Sequence, residues 1–377
     1  MRPRAATDNL PQGLRAYTKN PMKRYDALAL FSGGLDSILA ARTVAAQGFS
    51  ILCLHFVSPF FGHPDKIETW SAAYGLDIAP VDIGSRFVAM MAAGPAHGVG
   101  KGLNPCIDCK ILMLSHARTL LDEYGAKFLI TGEVKGQRPM SQRRDALDVI
   151  SREAGVRGKL LRPLCARTLT PTPMEESGLV DRERLHSFGG RTRQPQLALA
   201  RALGIAGYPQ PAGGCKLTEF ESAKRYVPLF RHAKPPRVED FALANVGRQF
   251  WCGPRWLAMG KDQASNETLA ALAEPRDILL DVTHHPSPLG LIRELPDALW
   301  DEAAILDAAA LTASYAPKAM ASGGPVTVTV TRGDALREVT VAPSRISRLG
   351  LRDIPWEEVI PVKNALFREN PDDDDGL

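Results

Sequence analysis

The hexapeptide Ser32-Gly33-Gly34-Leu35-Asp36-Ser37 combines two glycines, two hydroxyls and one carboxylate in a stretch suited to binding phosphate. Glycines let a backbone approach phosphate oxygens closely, and the N–H groups and dipole at a helix start favour an anion. Ser32 and Ser37 add hydroxyl donors. Asp36 repels an anion, so it is better suited to orient the loop or to hold Mg²⁺ against the phosphates. The Gly-Lys-Ser/Thr ending of a Walker A loop is absent.

Three of the six cysteines form a second group that could take part in chemistry. Cys106 and Cys109 make a CxxC, and Cys215 follows two glycines. A CxxC places two sulfurs at one helix start, where the dipole lowers thiol pKa values. Thiolates bind zinc or iron–sulfur clusters, and three cysteines on a [4Fe–4S] cluster would leave one iron open for sulfide. A zinc site completed by Cys165 or a histidine, a persulfide–disulfide pair, and buried thiols without a role are the alternatives.

Basic residues concentrate in the middle of the chain, where 135–201 contains fourteen Lys or Arg against seven Asp or Glu. Such side chains suit contacts to RNA phosphates, although a charge run is also typical of a solvated face. Gln137 or Arg138 could instead position ATP or an acceptor base. The candidate RNA contacts are Arg138, Arg143, Arg144, Arg191 and Arg193.

The elements that must position these residues alternate between strands and helices. Short apolar runs predict strands and helical periodicity predicts helices. The predicted strands are 26–31, 50–57, 77–83, 127–130 and 160–164. The predicted helices are 36–48, 65–75, 106–124, 141–154, 182–185, 195–203 and 218–230. This alternation indicates parallel βαβ units, whose ligands bind at the carboxyl ends of the strands.

The hexapeptide, in this strand–loop–helix context, resembles the SGGxDS loop of the PP-loop (N-type) ATP pyrophosphatases. The resemblance covers about residues 26–230 and implies a parallel sheet of the HUP-like type over 25–233. It also implies that ATP is cleaved between its α- and β-phosphates to adenylate a carbonyl oxygen. The implied ATP-binding residues are Ser32, Gly33, Gly34, Leu35, Asp36, Ser37, His55, Phe56 and Gly132, the last within a Thr131-Gly132-Glu133 turn.

The cysteine trio resembles that of PP-loop two-thiouridine synthetases that use an iron–sulfur cluster. The resemblance implies a [4Fe–4S] cluster on Cys106, Cys109 and Cys215, and catalytic roles for Asp36, Cys106 and Cys215. It further implies tRNA as substrate, ATP with Mg²⁺, and sulfur from a cysteine desulfurase, a carrier or free sulfide. Related sulfurtransferases use a persulfide and a disulfide instead, and related enzymes can be homodimers.

Beyond Lys234-Pro235-Pro236, strand-like and helical pieces mix, which predicts an α+β domain over 237–363. Its Val246-Gly-Arg-Gln-Phe250 stretch, followed by Lys261-Asp262, is similar to the NFACT-R type of RNA-binding domain, in which Arg-Asn is usual at the second position. Residues 1–24 are predicted to be a flexible basic arm and 364–377 an acidic tail.

Composition narrows the class of protein. The chain has 377 residues, 45% hydrophobic and 23% charged, with a formal net charge of +4, as expected for a globular protein of two or three domains. Six cysteines without an export signal argue against a disulfide framework, so Cys53 and Cys252 are predicted to be structural. No apolar run reaches the ~18 residues of a membrane span. A cytoplasmic location is expected.

These observations favour ATP-dependent thiolation of a tRNA uridine. One alternative is a PP-loop ligase or amidotransferase that adenylates a small molecule, with a purely structural cysteine trio. Another is a non-enzymatic RNA-binding factor in which the nucleotide site acts as a switch.

Overall fold

The computed structural model describes residues 23–205, 207–208 and 214–370. Its described residues divide into two units. Unit 1 comprises 23–87, 95–215 and 369–370 within these limits, and unit 2 comprises 88–94 and 216–368. Most of the predicted basic arm, residues 1–22, and the end of the predicted acidic tail, residues 371–377, lie outside the described part of the chain.

Unit 1 contains a parallel sheet whose described strands follow the order β3-β2-β1-β4-β5. The strands are β1 Ala27–Leu30, β2 Ile51–Val57, β3 Asp77–Asp82, β4 Phe128–Ile130 and β5 Leu160–Leu161. The central strand pairs on both sides, with Leu28 opposite Leu52 and Leu129. Strands β1, β2 and β4 are buried along their whole length, as expected when helices cover both faces of a sheet. The predicted α/β fold is confirmed.

Seven described helices lie between or after these strands along the chain. They are α1 Leu35–Ala45, α2 Ile67–Tyr74, α3 Gly84–Ala93, α4 Cys106–Tyr124, α5 Arg144–Glu153, α6 Pro173–Glu176 and α7 Gln194–Ala202. One of them, α3, continues into residues 88–94 of unit 2. A helix that connects parallel strands runs back against them, so α1 and α4 begin at the carboxyl ends of the strands. The hexapeptide and the CxxC therefore lie at the same edge of the sheet.

Two predicted elements of unit 1 differ most from the structure, while others, such as the helix predicted over 141–154 and found at Arg144–Glu153, differ at their ends. The strand predicted over 160–164 ends at Leu161, because Pro163 has no N–H for a further ladder bond. The helix predicted over 182–185 is a 3₁₀ turn, Arg182–Arg184. Its Asp181 side chain accepts a hydrogen bond from the Glu183 N–H, which caps the start of this single turn.

Unit 2 contains an antiparallel sheet in the order β11-β10-β8-β9-β7-β6. Its strands are β6 Arg248–Cys252, β7 Arg255–Met259, β8 Ile278–Val282, β9 Gly290–Arg293, β10 Val326–Arg332 and β11 Ala335–Val341. Its helices are α8 Phe220–His232, α9 Val238–Ala244, α10 Gln263–Leu272, α11 Glu302–Ala313, α12 Pro317–Ala321 and α13 Trp356–Leu366. Helix α11 buries its alanine-rich face in the core with β8 and β10. The predicted α+β class of this region is confirmed.

None of the described helices has both the length and the apolarity that crossing a membrane would require.

Candidate active site

The phosphate loop joins β1 to α1 and leaves the helix start available to an anion. Gly34 is the residue before α1, and no side chain caps the helix there. Uncapped N–H groups at a helix start, together with its dipole, attract negative charge. Gly33 has a φ of +79°, and a Cβ at this position would lie 2.5 Å from the Trp70 ring. Only glycine fits between the loop and this indole.

The two serines of the loop have different surroundings. The buried Ser37 hydroxyl donates to the Gly34 carbonyl at 2.7 Å and accepts from the Ser32 N–H at 3.3 Å. Ser37 therefore braces the loop in its observed shape. Ser32 is exposed, and its oxygen accepts a hydrogen bond from the Gly34 N–H at 3.3 Å. The accessible hydroxyl is thus that of Ser32.

Gly132 brings the end of β4 against the first turn of α1. A Cβ at Gly132 would lie 2.5 Å from the Asp36 carbonyl oxygen and 2.7 Å from the Ser37 nitrogen. Because these neighbours are backbone atoms that cannot turn aside, a larger residue would push the two elements apart. The Thr131-Gly132-Glu133 turn therefore lies directly beside the phosphate loop.

A buried ion pair supports this turn. Arg162 Nε donates to Glu133 Oε2 at 2.9 Å, and the Thr131 hydroxyl donates to the same oxygen at 2.9 Å. Burial opposes ionisation of Glu133, but the charges of Arg162 and Lys110 and these hydrogen bonds hold its pKa below the usual value. Glu133 is therefore ionised at neutral pH, and it anchors the turn.

The Asp36 carboxylate is held through one oxygen only. Gln137 Nε2 donates to Asp36 Oδ2 at 2.8 Å, and Arg193 Nη2 lies 3.9 Å from the same oxygen. The buried Gln196 side chain donates in turn to Gln137 Oε1 at 2.9 Å. Asp36 Oδ1 is buried and has no hydrogen-bond partner among the described residues. A spare carboxylate oxygen fits Mg²⁺, which takes one or two protein carboxylates plus phosphate oxygens.

His55 and Phe56, which the resemblance implies bind ATP, are both buried near the end of β2. Both ring nitrogens of His55 have backbone partners, since Nδ1 lies 3.0 Å from the Phe31 carbonyl oxygen and Nε2 accepts from the His63 N–H at 2.8 Å. Burial lowers the pKa of His55. A neutral ring that donates through Nδ1 and accepts through Nε2 satisfies both bonds. His55 therefore has a structural role behind the phosphate loop.

The cysteine trio begins at the start of α4. The buried Asn104 amide donates to Cys106 Sγ at 3.3 Å, and the Cys215 backbone forms an isolated antiparallel bridge with Phe61. The pKa of the Cys109 thiol is raised by burial, and further by the nearby Cys215 and Cys106. The three cysteines are thus close enough to interact electrostatically. Cys165, the alternative fourth ligand, instead donates to the Glu133 carbonyl oxygen at 3.3 Å.

Burial and the neighbouring thiols raise the pKa of Cys109, which opposes the lowering expected from the helix dipole. All six cysteines, which lie in the described part of the chain, are thiols. Among the described residues, no group of three or more His, Cys, Asp or Glu is placed to hold a metal ion. The described residues therefore contain no ready metal site, and the [4Fe–4S] cluster stays a prediction.

The predicted RNA contacts fall on two turns that the structure brings together. Lys135 and Gly189 form a parallel bridge, and the Gly190 N–H donates to the Lys135 carbonyl oxygen at 2.9 Å. Arg138, Arg143, Arg144 and Arg191 are exposed, and Arg193 is half-buried. The arginine-bearing turns thereby adjoin Asp36 through Gln137 and Arg193.

Sequence reasoning missed the roles of Gln196 and Arg162. Gln196 is fully buried within α7, where its flanks Pro195 and Leu197 give no sign of a polar contact. Arg162 follows directly on the apolar Leu160-Leu161 pair. An arginine at the carboxyl end of a buried strand is a signal for a buried ion pair, and it was available in the sequence.

Comparison with known proteins adds one match to a family. The model of the family described as Thiamine biosynthesis protein (ThiI) matches residues 23–168. Among curated proteins, none is similar enough in sequence to count as a match.

Three solved structures match parts of the chain. The C-terminal part of the fibronectin/fibrinogen-binding protein from Streptococcus suis is 14% identical over 42% of this chain and 77% of that chain, with a TM-score of 0.24. A predicted subunit of tRNA methyltransferase from Methanocaldococcus jannaschii is 17% identical over 36% and 67%, with a TM-score of 0.27. NMN synthetase from Francisella tularensis is 12% identical over 53% and 94%, with a TM-score of 0.22. TM-scores this low support no conclusion about this chain.

The matched residues contain the phosphate loop, the CxxC and the Thr131-Gly132-Glu133 turn, all at one edge of the parallel sheet. Residues 23–168 form a ThiI-family domain of the PP-loop superfamily, a group of enzymes that use ATP to adenylate their substrates.

Proposed function

We propose that this protein is an ATP-dependent tRNA sulfurtransferase that adenylates a uridine carbonyl oxygen and replaces that oxygen with sulfur. The observation that carries the proposal is the position of the CxxC, at the start of α4, on the same sheet edge as the phosphate loop at the start of α1. A site that only adenylates a small molecule has no need of thiols at that edge.

In the adenylation step, the uridine oxygen attacks the α-phosphorus of ATP, and pyrophosphate leaves. The uncapped N–H groups at the start of α1 and the Ser32 hydroxyl would bind the phosphates. Asp36 would hold Mg²⁺ through Oδ1, and the bound ion would supply charge neutralisation at the phosphate oxygens. Sulfur then attacks the activated carbon, and AMP leaves with the former carbonyl oxygen.

The sulfur-handling site is proposed to be the cysteine trio, Cys106, Cys109 and Cys215. A [4Fe–4S] cluster on these cysteines is supported by their spacing and their mutual proximity. The described residues contain no ready metal-binding group. Alternatively, a persulfide on one of these thiols, formed by sulfur transfer from a desulfurase or a carrier, would release sulfide for the reaction when a second thiol attacks it and a disulfide forms. A desulfurase, a carrier or free sulfide is the proposed donor.

The two arginine-bearing turns are proposed to hold tRNA phosphates. Arg143 donates to Asp145 through Nε at 3.3 Å and Nη2 at 3.2 Å, but this ion pair is exposed. Exposed pairs are worth at most about 1 kcal/mol, so a phosphate can replace Asp145. We further propose RNA binding by residues 237–363, which include the exposed Arg345 and Arg348. A cytoplasmic location and a homodimer complete the proposal.

The test is thiolation of a tRNA transcript by anaerobically purified protein with ATP, Mg²⁺ and sulfide, with the product detected by mass spectrometry. Iron and sulfide are assayed on the same samples. We expect thiouridine in wild type and its loss in Cys215→Ala, with Cys252→Ala in unit 2 as the matched control. About four irons per chain, lost in Cys215→Ala, would support the cluster.

Zinc or no metal, with thiolation intact, would remove the cluster and leave direct attack of sulfide on the adenylated carbon, because sulfide forms a persulfide only with a two-electron oxidant. A protein that never thiolates tRNA, but exchanges pyrophosphate into ATP in response to a metabolite, would contradict the proposal and favour the small-molecule ligase.

A further inference from the structure

We infer that Gln137 and Gln196 are positioning residues, which hold the Asp36 carboxylate by Oδ2 and leave Oδ1 alone to bind the metal ion that accompanies ATP. This inference rests on the proposed function, in which Asp36 holds Mg²⁺. It assigns a role to two amides that lie 101 and 160 positions further along the chain than Asp36.

The direction of the hydrogen bonds follows from chemistry. A carboxylate only accepts, so the Gln137 group that contacts Asp36 Oδ2 at 2.8 Å must be its NH₂. That orientation leaves Gln137 Oε1 to accept, at 2.9 Å, from the Gln196 NH₂. Each amide thereby sets the orientation of the next, and neither can flip without losing its bond.

The burial of Gln196 indicates that this series of hydrogen bonds has a function. The side chain is fully buried, and its own Oε1 has no hydrogen-bond partner among the described residues. A buried amide with an unsatisfied oxygen costs free energy that methionine or leucine of similar shape would avoid. The bond to Gln137 is the interaction that a glutamine makes here and an apolar residue cannot.

The partners of Asp36 are asymmetric. Gln137 and the more distant Arg193 both approach Oδ2, whereas Oδ1 is buried without a partner. A carboxylate whose Oδ2 is held by a hydrogen bond cannot rotate to exchange its two oxygens. It therefore presents Oδ1 to a ligand in a constant direction. Preorganisation of this kind lowers the cost of binding an ion that demands near-ideal geometry.

The hydrogen bond from Gln137 would matter to Asp36 only when a metal ion is bound together with the nucleotide. Loss of Gln137 should therefore weaken the metal-dependent part of ATP binding and spare the part that the loop N–H groups provide. A residue that merely shapes the loop would affect both parts alike.

The experiment is equilibrium binding of radiolabelled ATP at rising Mg²⁺, without tRNA, to wild type and Gln137→Leu. We expect the Mg²⁺ concentration for half-maximal ATP binding to rise about tenfold, which corresponds to about 1.4 kcal/mol. ATP binding in EDTA should stay at the wild-type level. Gln196→Met should shift the midpoint in the same direction. Gln194→Met, at an exposed position on the same helix, is the matched control and should leave it unchanged.

An unchanged Mg²⁺ midpoint in Gln137→Leu would overturn the inference. An equal loss of ATP binding with and without Mg²⁺ would overturn it as well, since that result marks a loop-shaping role. If wild type binds ATP with the expected Mg²⁺ dependence but never thiolates tRNA, the proposed function fails and the inference stands. If wild type does not bind ATP, both fail.

Discussion

The polar side chains around the phosphate loop separate into those that the fold already uses and those with capacity left for a ligand. Ser37 and His55 have their hydrogen-bonding groups engaged with the backbone. Ser32 is exposed, and Asp36 has one oxygen without a partner among the described residues. Ligand binding at the loop therefore depends on only some of the side chains in its six-residue pattern. The N–H groups at the helix start provide the other contacts.

Asp36→Asn should reduce ATP-dependent pyrophosphate release in the presence of tRNA by about 100-fold or more, because a neutral amide binds Mg²⁺ poorly and the ion contributes several kcal/mol of charge stabilisation. The measurement is a coupled pyrophosphate assay at saturating ATP. Asp122→Asn removes an exposed carboxylate from α4 and should keep the wild-type rate. A wild-type rate in Asp36→Asn would show that this carboxylate takes no part in the reaction.

At the scale of elements, the nucleotide edge of the sheet is held together by contacts between segments that are distant in sequence. Gly132 at the end of β4 abuts the first turn of α1. Arg162, just after β5, binds Glu133 and also donates to the Leu147 carbonyl and the Ser151 hydroxyl on α5, at 3.2 and 3.0 Å. One guanidinium therefore joins β4, β5 and α5 behind the site.

Arg162→Leu should lower the free energy of unfolding of unit 1 by about 3–5 kcal/mol, because it leaves the Glu133 carboxylate buried without its charge partner. Urea titration followed by circular dichroism measures the change. Arg157→Leu breaks an exposed ion pair with Asp148, 3.5 Å long, and should cost less than about 1 kcal/mol.

An equal loss of unfolding free energy in Arg162→Leu and Arg157→Leu would contradict the central role of the buried Arg162–Glu133 pair. The double substitution Arg162→Leu with Glu133→Leu should recover part of the loss, because no unpaired charge then remains buried.

At the scale of the whole molecule, the folding stability of both units depends on histidines that are neutral in the folded state. Burial lowers the pKa values of His55, His116 and His186 in unit 1 and of His232 in unit 2. The unfolded chain, with histidine pKa values near 6.5, then binds more protons than the folded protein in mildly acidic solution. Folding stability from this source is complete above about pH 6.5 and declines as the pH falls towards the folded-state pKa values.

The urea midpoint should therefore decrease between pH 7.5 and pH 5.5, a window above the ordinary carboxyl range. Replacing the buried His55 with Asn should reduce this pH dependence, although the variant is less stable overall because two backbone partners of the ring are lost. Replacing the exposed His284 with Asn should leave the dependence intact. A midpoint that rises on acidification would contradict the assignment of these histidines as neutral in the folded state.

Elements with strong local signals could be predicted from the sequence, and those without them could not. The helix Cys106–Tyr124 was predicted residue for residue, since regular apolar spacing precedes a glycine that takes φ +65° at its end. Helix α13 was not predicted, and Pro361 inside it weakens the helical signal of its sequence. Strands β6 and β7 were missed because their apolar residues do not alternate simply with polar ones.

The sequence by itself determined the strand–loop–helix setting of Ser32–Ser37 and the helical start of the CxxC, because both depend on neighbours within a few positions. Only the tertiary structure decided which oxygen of Asp36 is held by Gln137, that Glu133 pairs with Arg162, and that burial raises the pKa of Cys109. Those features depend on residues distant in the chain and on exclusion of water. Local periodicity carries no information about either, because chain closure over such separations is set by packing of the whole core.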